Sequence, residues 1–240
     1  MGKFLNRVFG VSVVLFILFC LLDKSDQDKI VGKLGVIFNS IENNSPNNSL
    51  VNTDESQPIK KEKHYSKEVN TYFNEIALGS EFDGKSHDVF KRTEDVKIYV
   101  HGHKEDYLMN ELDRIVRDLN DIIETINIEV VSNKSDANTF IYLGDYKTFD
   151  KLYPQVSEEL LVHNWGYFEI YRDYSLIYVD IFRATKIDAQ KHLLREELTQ
   201  SLGLCNDSYR YPESIFYQGW TTTTEFSPID VELIDKLYNS

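Results

Sequence analysis

The sequence predicts an α+β domain, and three observations point to it. A long segment, Glu105 to about Thr125, carries apolar residues at helical steps; several short runs alternate or are rich in aromatics, as strands are; and strands with one backing helix come first, then a hairpin, then a second helix. With 240 residues, 42% of them apolar and 13% aromatic, the chain has material for one domain with a real core plus an appendage.

In chain order, "VKIYVHG" (Val96 to Gly102) alternates and is bounded by charge and glycine, so it reads as a strand. In the helix that follows, Leu108, Met109, Leu112, Ile115, Val116, Leu119, Ile122, Ile123 and Ile126 recur at steps of three, four and seven, which gives one buried face. "IEVV" and "NTFIYLG" read as strands separated by the turn-forming "SNKSD", with a short helix at Tyr146 to Tyr153. "WGYFEIY" and "SLIYVDIF" form an aromatic-rich hairpin around "RDY". "TKID" (Thr185 to Asp188) has the capping-box pattern that opens a helix, and Gly203 supplies the left-handed residue that closes it.

Lys3 and Arg7 precede the uncharged run Val8 to Leu22, which has the charged start and apolar middle of an export signal. No small-x-small cleavage site follows, so residues 1–25 are expected to be a signal anchor or signal peptide, the uncleaved anchor being preferred. Positive charge ahead of the run faces the rest of the chain away from the cytoplasm, in the periplasm or at the cell surface. Residues 26–64, rich in Asn and Ser, read as a flexible tether, and residues 65–240 as the folded domain. Residues 1–70 carry 9 basic against 8 acidic side chains, which leaves 17 against 31, a net −14, for residues 71–240. Such a surface repels phosphate backbones, so nucleic acid is not an expected partner. Two cysteines, Cys20 in the leader and Cys205, make no disulfide framework.

The informative stretch is "EELTQSLGLCND", Glu196 to Asp207. At 100° per residue, Leu194, Leu198 and Leu202 fall on one side of the second helix and Glu196, Glu197 and Gln200 on the other, with His192 one turn earlier. Periodicity alone describes an amphipathic helix with a solvated face. The spacing past the helix adds more. It resembles the metzincin zinc peptidases, whose HExxHxxGxxH motif sets two His on one helical face, a catalytic Glu beside the first, a Gly at the helix end and a third ligand after the turn. On this sequence the ligand positions hold Glu196, Gln200 and Asn206 or, one residue on, Asp207, while Glu197 and Gly203 match. "YPESIFYQGW" stands where metzincins carry the Met-turn, with Ile215 or Phe216 in place of the Met, and "FSPIDVELIDKLY" looks like their carboxyl-terminal helix. More narrowly, the chain resembles a bacterial family of metzincin-like domains with a degenerate EExxQxxGLxND motif in place of HExxHxxGxxH.

The resemblance implies a metzincin-like (zincin-type) fold: a twisted mixed sheet, mostly parallel, a long backing helix, an active-site helix and a small carboxyl-terminal subdomain, preceded by the membrane segment. It implies Glu197 as the catalytic residue, and the hairpin strand with Trp165, Tyr167, Glu169 and Tyr171 as the strand that pairs with substrate or partner. Zinc prefers imidazole or thiolate, so an all-oxygen set predicts no tight zinc site and leaves room only for a harder divalent ion. His192, at i, i+4 from Glu196, lies outside the family's ligand positions. Glu196 and Glu197, being adjacent, point about 100° apart and cannot face one another as a glycosidase pair; Asp230 reads first as a helix cap. "HGH" (His101 and His103) reads as a strand-end pair without function or as two ligands on one side of a strand. Two functions stay open: a membrane-tethered extracytoplasmic metallopeptidase-like protein with atypical oxygen ligands acting on cell-envelope peptides, and a catalytically inactive pseudo-peptidase that binds an extended peptide or envelope partner.

Overall fold

The structure, a computed structural model, describes residues 63–78 and 89–240, all within the unit that runs from Lys60 to Ser240. The expected leader and most of the expected tether lie outside the described residues. Among the described residues no helix is long and apolar enough to cross a membrane.

A helix that the sequence reading did not foresee comes first. In α1 (Lys67–Ala77), Ser66 caps the start by accepting the Val69 N–H, and Val69, Tyr72, Phe73, Ile76 and Ala77 form the buried face. Strand β1 (Val96–Gly102) leads into the long helix α2 (Asp106–Ile122), which buries Leu108, Leu112, Ile115 and Leu119 as its spacing predicts. Then come β2 (Ile128–Val130), β3 (Thr139–Gly144), α3 (Tyr146–Leu152, capped by Asp145) and α4 (Glu158–His163). The hairpin is β4 (Gly166–Ile170) and β5 (Ser175–Asp180), closed by a hydrogen bond from the Tyr171 N–H to the Tyr174 carbonyl. Helix α5 (Ile187–Gln200) and helix α6 (Pro228–Asn239) complete the six α-helices of the described residues, beside one 3-10 turn at Lys134–Asp136.

The five strands form one sheet in the order β2-β1-β3-β5-β4. All neighbours run parallel except β4, the antiparallel edge strand. Alternation along the strands separates two cores. Ile98, Val100, Ile141, Leu143, Ile177, Val179 and Phe168 face the layer of α1, α2, α5 and α6. Tyr142, Leu176, Tyr178 and Tyr167 face Phe149 of α3 and Leu161 of α4. Strand β5 is buried along its whole length, as a central strand covered on both sides must be.

Two details of α5 differ from the sequence reading. Its N-cap is Lys186, with no side-chain cap bond, so "TKID" does not close a capping box. Nor is its polar side solvated. The helix is wedged between the sheet and α2, and Arg195, Glu196, Glu197 and Gln200 are all buried, Arg195 against α2 and the other three at the bottom of a cleft. Beyond its end Gly203 takes φ +126°, and a Cβ there would collide with the Phe90 carbonyl, so glycine is required at this turn.

Candidate active site

A cleft of about 440 Å³ opens along α5. Glu196, Glu197 and Gln200 line it from the helix and Asp207 from the turn beyond; Trp165 to Phe168 supply one wall and Tyr217 to Thr221 another. The 3.6-residue period brings the three helical residues to one side, and the reversal at Gly203 returns the chain so that Asp207 joins them. The Gln200 amide donates to the Asp207 carboxylate at 2.7 Å. Asn206, the alternative at this position, is used elsewhere: its backbone N–H donates to the Ile76 carbonyl and its side-chain amide to the Glu75 carbonyl, tying the turn to the end of α1.

His192 sits between two elements. Its Nδ1–H donates to the Thr223 carbonyl at 2.7 Å, and Nε2 lies 3.3 Å from the Glu196 carboxylate. Burial pulls the His192 pKa down, but the hydrogen bond to Glu196, the charge of that carboxylate and the Thr223 carbonyl together outweigh it, and the net shift is upward. The favourable pairing is therefore present below the ordinary histidine range and is lost as pH rises through the elevated value. Through this bond the Thr-rich segment after Trp220 is fastened to the floor of the cleft.

Glu197 lies against the start of β4. A Cβ at Gly166 would overlap the Glu197 carboxylate, so the glycine makes the space in which that side chain rests. Since the obstructing atoms are the end of a flexible side chain, Gly166→Ala is expected to leave stability within about 1 kcal/mol of the parent while driving Glu197 out of its position. Thermal denaturation together with a crystal structure of the variant checks this. An unmoved Glu197 would contradict it.

The hairpin strand divides its predicted roles. Trp165 and Tyr167 line the cleft, whereas Glu169 and Tyr171 do not. Tyr167 donates its hydroxyl to Glu169 at 3.2 Å, and Tyr171 stacks on Tyr174 at 4.6 Å between centroids. The Asp180 N–H bonds the Trp165 carbonyl and the Tyr171 N–H bonds the Tyr174 carbonyl. By the alternation of an antiparallel ladder, the odd residues of β4 are thus spent on β5, and the N–H and C=O groups of Gly166, Phe168 and Ile170 point to the outer edge. Among the described residues no strand pairs with that edge.

Ile215 and Phe216, which the sequence resemblance sets against the Met of a Met-turn, are fully buried. Asp230 holds their turn: it accepts from the Ser214 hydroxyl and the Ile215 N–H while forming the capping box of α6 with Ser227. Burial lifts the Asp230 carboxyl above its usual range, and the hydrogen bonds donated by Ser214, Ile215 and Ser227 only partly reverse this.

The residues present do not fit a zinc ion. The ligand positions offer only oxygen; Gln200 turns its NH₂ toward Asp207, and Glu196 faces His192. Among the described residues no three His, Cys, Asp or Glu side chains stand close enough together to hold a metal. The two other histidines that could have been ligands are apart from the cleft. His101 Nε2 is 2.9 Å from the Tyr153 hydroxyl, with its pKa pushed down by burial to about 4, and His103 packs edge-on against Phe182. Cys205 contacts the Gln200 carbonyl and burial pushes its thiol up to about 12, which leaves it inert.

Sequence reasoning missed His163, which lines the cleft from the end of α4, and the wall of Tyr217, Gln218 and Trp220. Trp165 and Trp220 meet edge-on at 5.3 Å. No spacing links residues 55 positions apart. The one available signal is that these are the two tryptophans of the chain.

Fold and site together define a mixed α/β protein with a carboxylate-floored cleft beside a sheet edge that no strand among the described residues covers. Residues 66–240 match the family described as "Protein of unknown function (DUF2927)", and the chain belongs to that family. Similar solved structures include one described as "Crystal structure of myroilysin", with TM-score 0.42 and 9% identity over 70% of this chain and 93% of that one. Another, "Structure of myroilysin", has TM-score 0.38 and 11% identity over 63% of this chain and 96% of that one. No curated protein matches the chain.

Proposed function

We propose that this chain is a peptidase-like protein that captures an extended peptide along the outer edge of β4 and does not hydrolyse it by zinc chemistry. The observation that carries this reading is the row of Gly166, Phe168 and Ile170 backbone groups beside the cleft, which no strand among the described residues pairs with. A strand laid on such an edge gains main-chain hydrogen bonds whatever its sequence, and the neighbouring cleft receives its side chains. The oxygen-only ligand positions, tied to one another and to His192, leave the usual hydrolytic ion without its donors. In this reading the leader and tether hold the domain on the outer side of a membrane, within reach of cell-envelope peptides.

One observation favours a second reading, hydrolysis with Glu197 as general base. Its carboxylate rests against Gly166, where a peptide paired with β4 would pass.

Peptides N-methylated at alternate residues separate the possibilities. In strand addition only one of the two alternate sets of N–H groups faces β4, so one methylated series loses binding in calorimetry and the other keeps it. Equal loss in both series, or in neither, counts against an edge complex. Mass spectrometry on the same mixtures asks whether the peptide is cut; cleavage that vanishes in Glu197→Gln, with an unchanged thermal midpoint, would establish the hydrolytic reading instead.

A further inference from the structure

We infer that the cleft selects ligands carrying a positive charge, an alkylammonium or guanidinium group such as a lysine or arginine side chain of the captured peptide. The inference rests on the edge-strand reading and deepens it. Three carboxylates, Glu196, Glu197 and Asp207, line the cleft, and neither lysine nor arginine does. Against those carboxylates the cleft sets two imidazoles, His163 at its rim and His192, whose Nε2 faces Glu196. Glu196 and Glu197 are each less than a tenth exposed. A low-dielectric hollow of this kind rewards an entering cation far more than a surface acid would.

The walls supply an independent reason. Trp165 and Trp220 are exposed by 38% and 63%, large aromatic faces left to solvent beside the acidic floor, with Tyr217 next to them in the same lining. Aromatic faces above carboxylates recognise the two parts of a basic side chain: the apolar stem packs on the rings and the cationic head is drawn to both the ring faces and the floor. An acidic ligand would meet repulsion from the floor, and a purely apolar one would bury carboxylates without replacing their hydration.

Because Trp165 and Trp220 are the only tryptophans of the chain, tryptophan emission excited selectively over that of its tyrosines reports on this cleft. The test titrates the full chain with Ac-Ala-Ala-Lys-Ala-Ala-amide and its norleucine and glutamate counterparts, and separately with cadaverine, reading fluorescence and heat. The expected result is a tryptophan signal with the lysine peptide binding about tenfold or more tighter than norleucine, glutamate weaker still, and the preference shrinking as salt is raised. Equal affinity for lysine and norleucine peptides overturns the cation preference while leaving capture by the edge intact. Binding of cadaverine without binding of any peptide keeps the cation site and removes the edge reading. No binding by any of the four ligands overturns both. The comparison uses the unaltered protein, so it does not depend on whether Glu197→Gln or Asp207→Asn folds.

Discussion

Arg195→Ala is expected to destabilise the domain by about 3–5 kcal/mol, the loss that follows when one partner is removed from a buried ionic network. Arg195 is fully buried on α5. Its guanidinium bonds Glu111 at 3.1 Å and Asp118 at 2.8 Å, both on α2, and lies over the Phe226 ring at 4.6 Å. Removing it strands the buried Glu111 with Arg114 alone and opens a hole the size of the side chain between α2 and the motif helix. Asp118→Ala is the control. That carboxylate is 39% exposed, so its loss should cost less than about 1 kcal/mol. Urea denaturation measures both, and near-equal small effects would mean that Arg195 reaches water in solution.

Asp230→Ala comes next, with an expected loss of about 2–6 kcal/mol, from two buried backbone donors left unsatisfied at about 1–3 kcal/mol each. The orphans are the N–H groups of Ile215 and Ser227, bonded to Asp230 at 3.0 and 2.9 Å. Because this one carboxylate both starts α6 and fixes the turn of Ile215 and Phe216, the same unfolding curve should lose cooperativity with the removal of a single side chain. Asp230→Asn keeps one acceptor oxygen and should fall between parent and alanine. A loss below about 1 kcal/mol for alanine would show that water enters and replaces the carboxylate.

These two residues also show where reading a sequence stops. The long helix was legible from Leu108, Leu112, Ile115 and Leu119 because a helix repeats its buried face in the chain itself. The hairpin was legible from its aromatic runs, and Asp230 as a cap from the four-residue pattern Ser227 to Asp230. The convergence of Glu196, Glu197 and Gln200 followed from helical period alone. What tertiary contact decides was not legible. Nothing local distinguishes Asn206 from Asp207 as the residue returned to the cleft; the Glu75 and Ile76 carbonyls of α1, some 130 positions earlier, claim Asn206. The burial of Arg195 on the motif helix depends on α2 supplying Glu111 and Asp118 to it. Helix α1 did carry a readable period in Val69, Tyr72, Phe73 and Ile76, but it is short and its opening Ser66 follows directly on a polar stretch, so composition does not set its start apart from the tether.

The margin of β4 that no described strand covers has a consequence for the protein in bulk. A row of backbone donors and acceptors that no described strand takes up fits a second copy of itself as readily as any visiting strand, and such edges are where chains begin to assemble end on end. Here the strand is only five residues long, and the net −14 carried by residues 71–240 sets copies against one another. That repulsion is an ionic-strength-dependent guard, strongest in dilute buffer and thinning to a few ångströms of reach in molar salt. Concentrated, salty solutions are thus the conditions in which the domain is least protected from associating with itself.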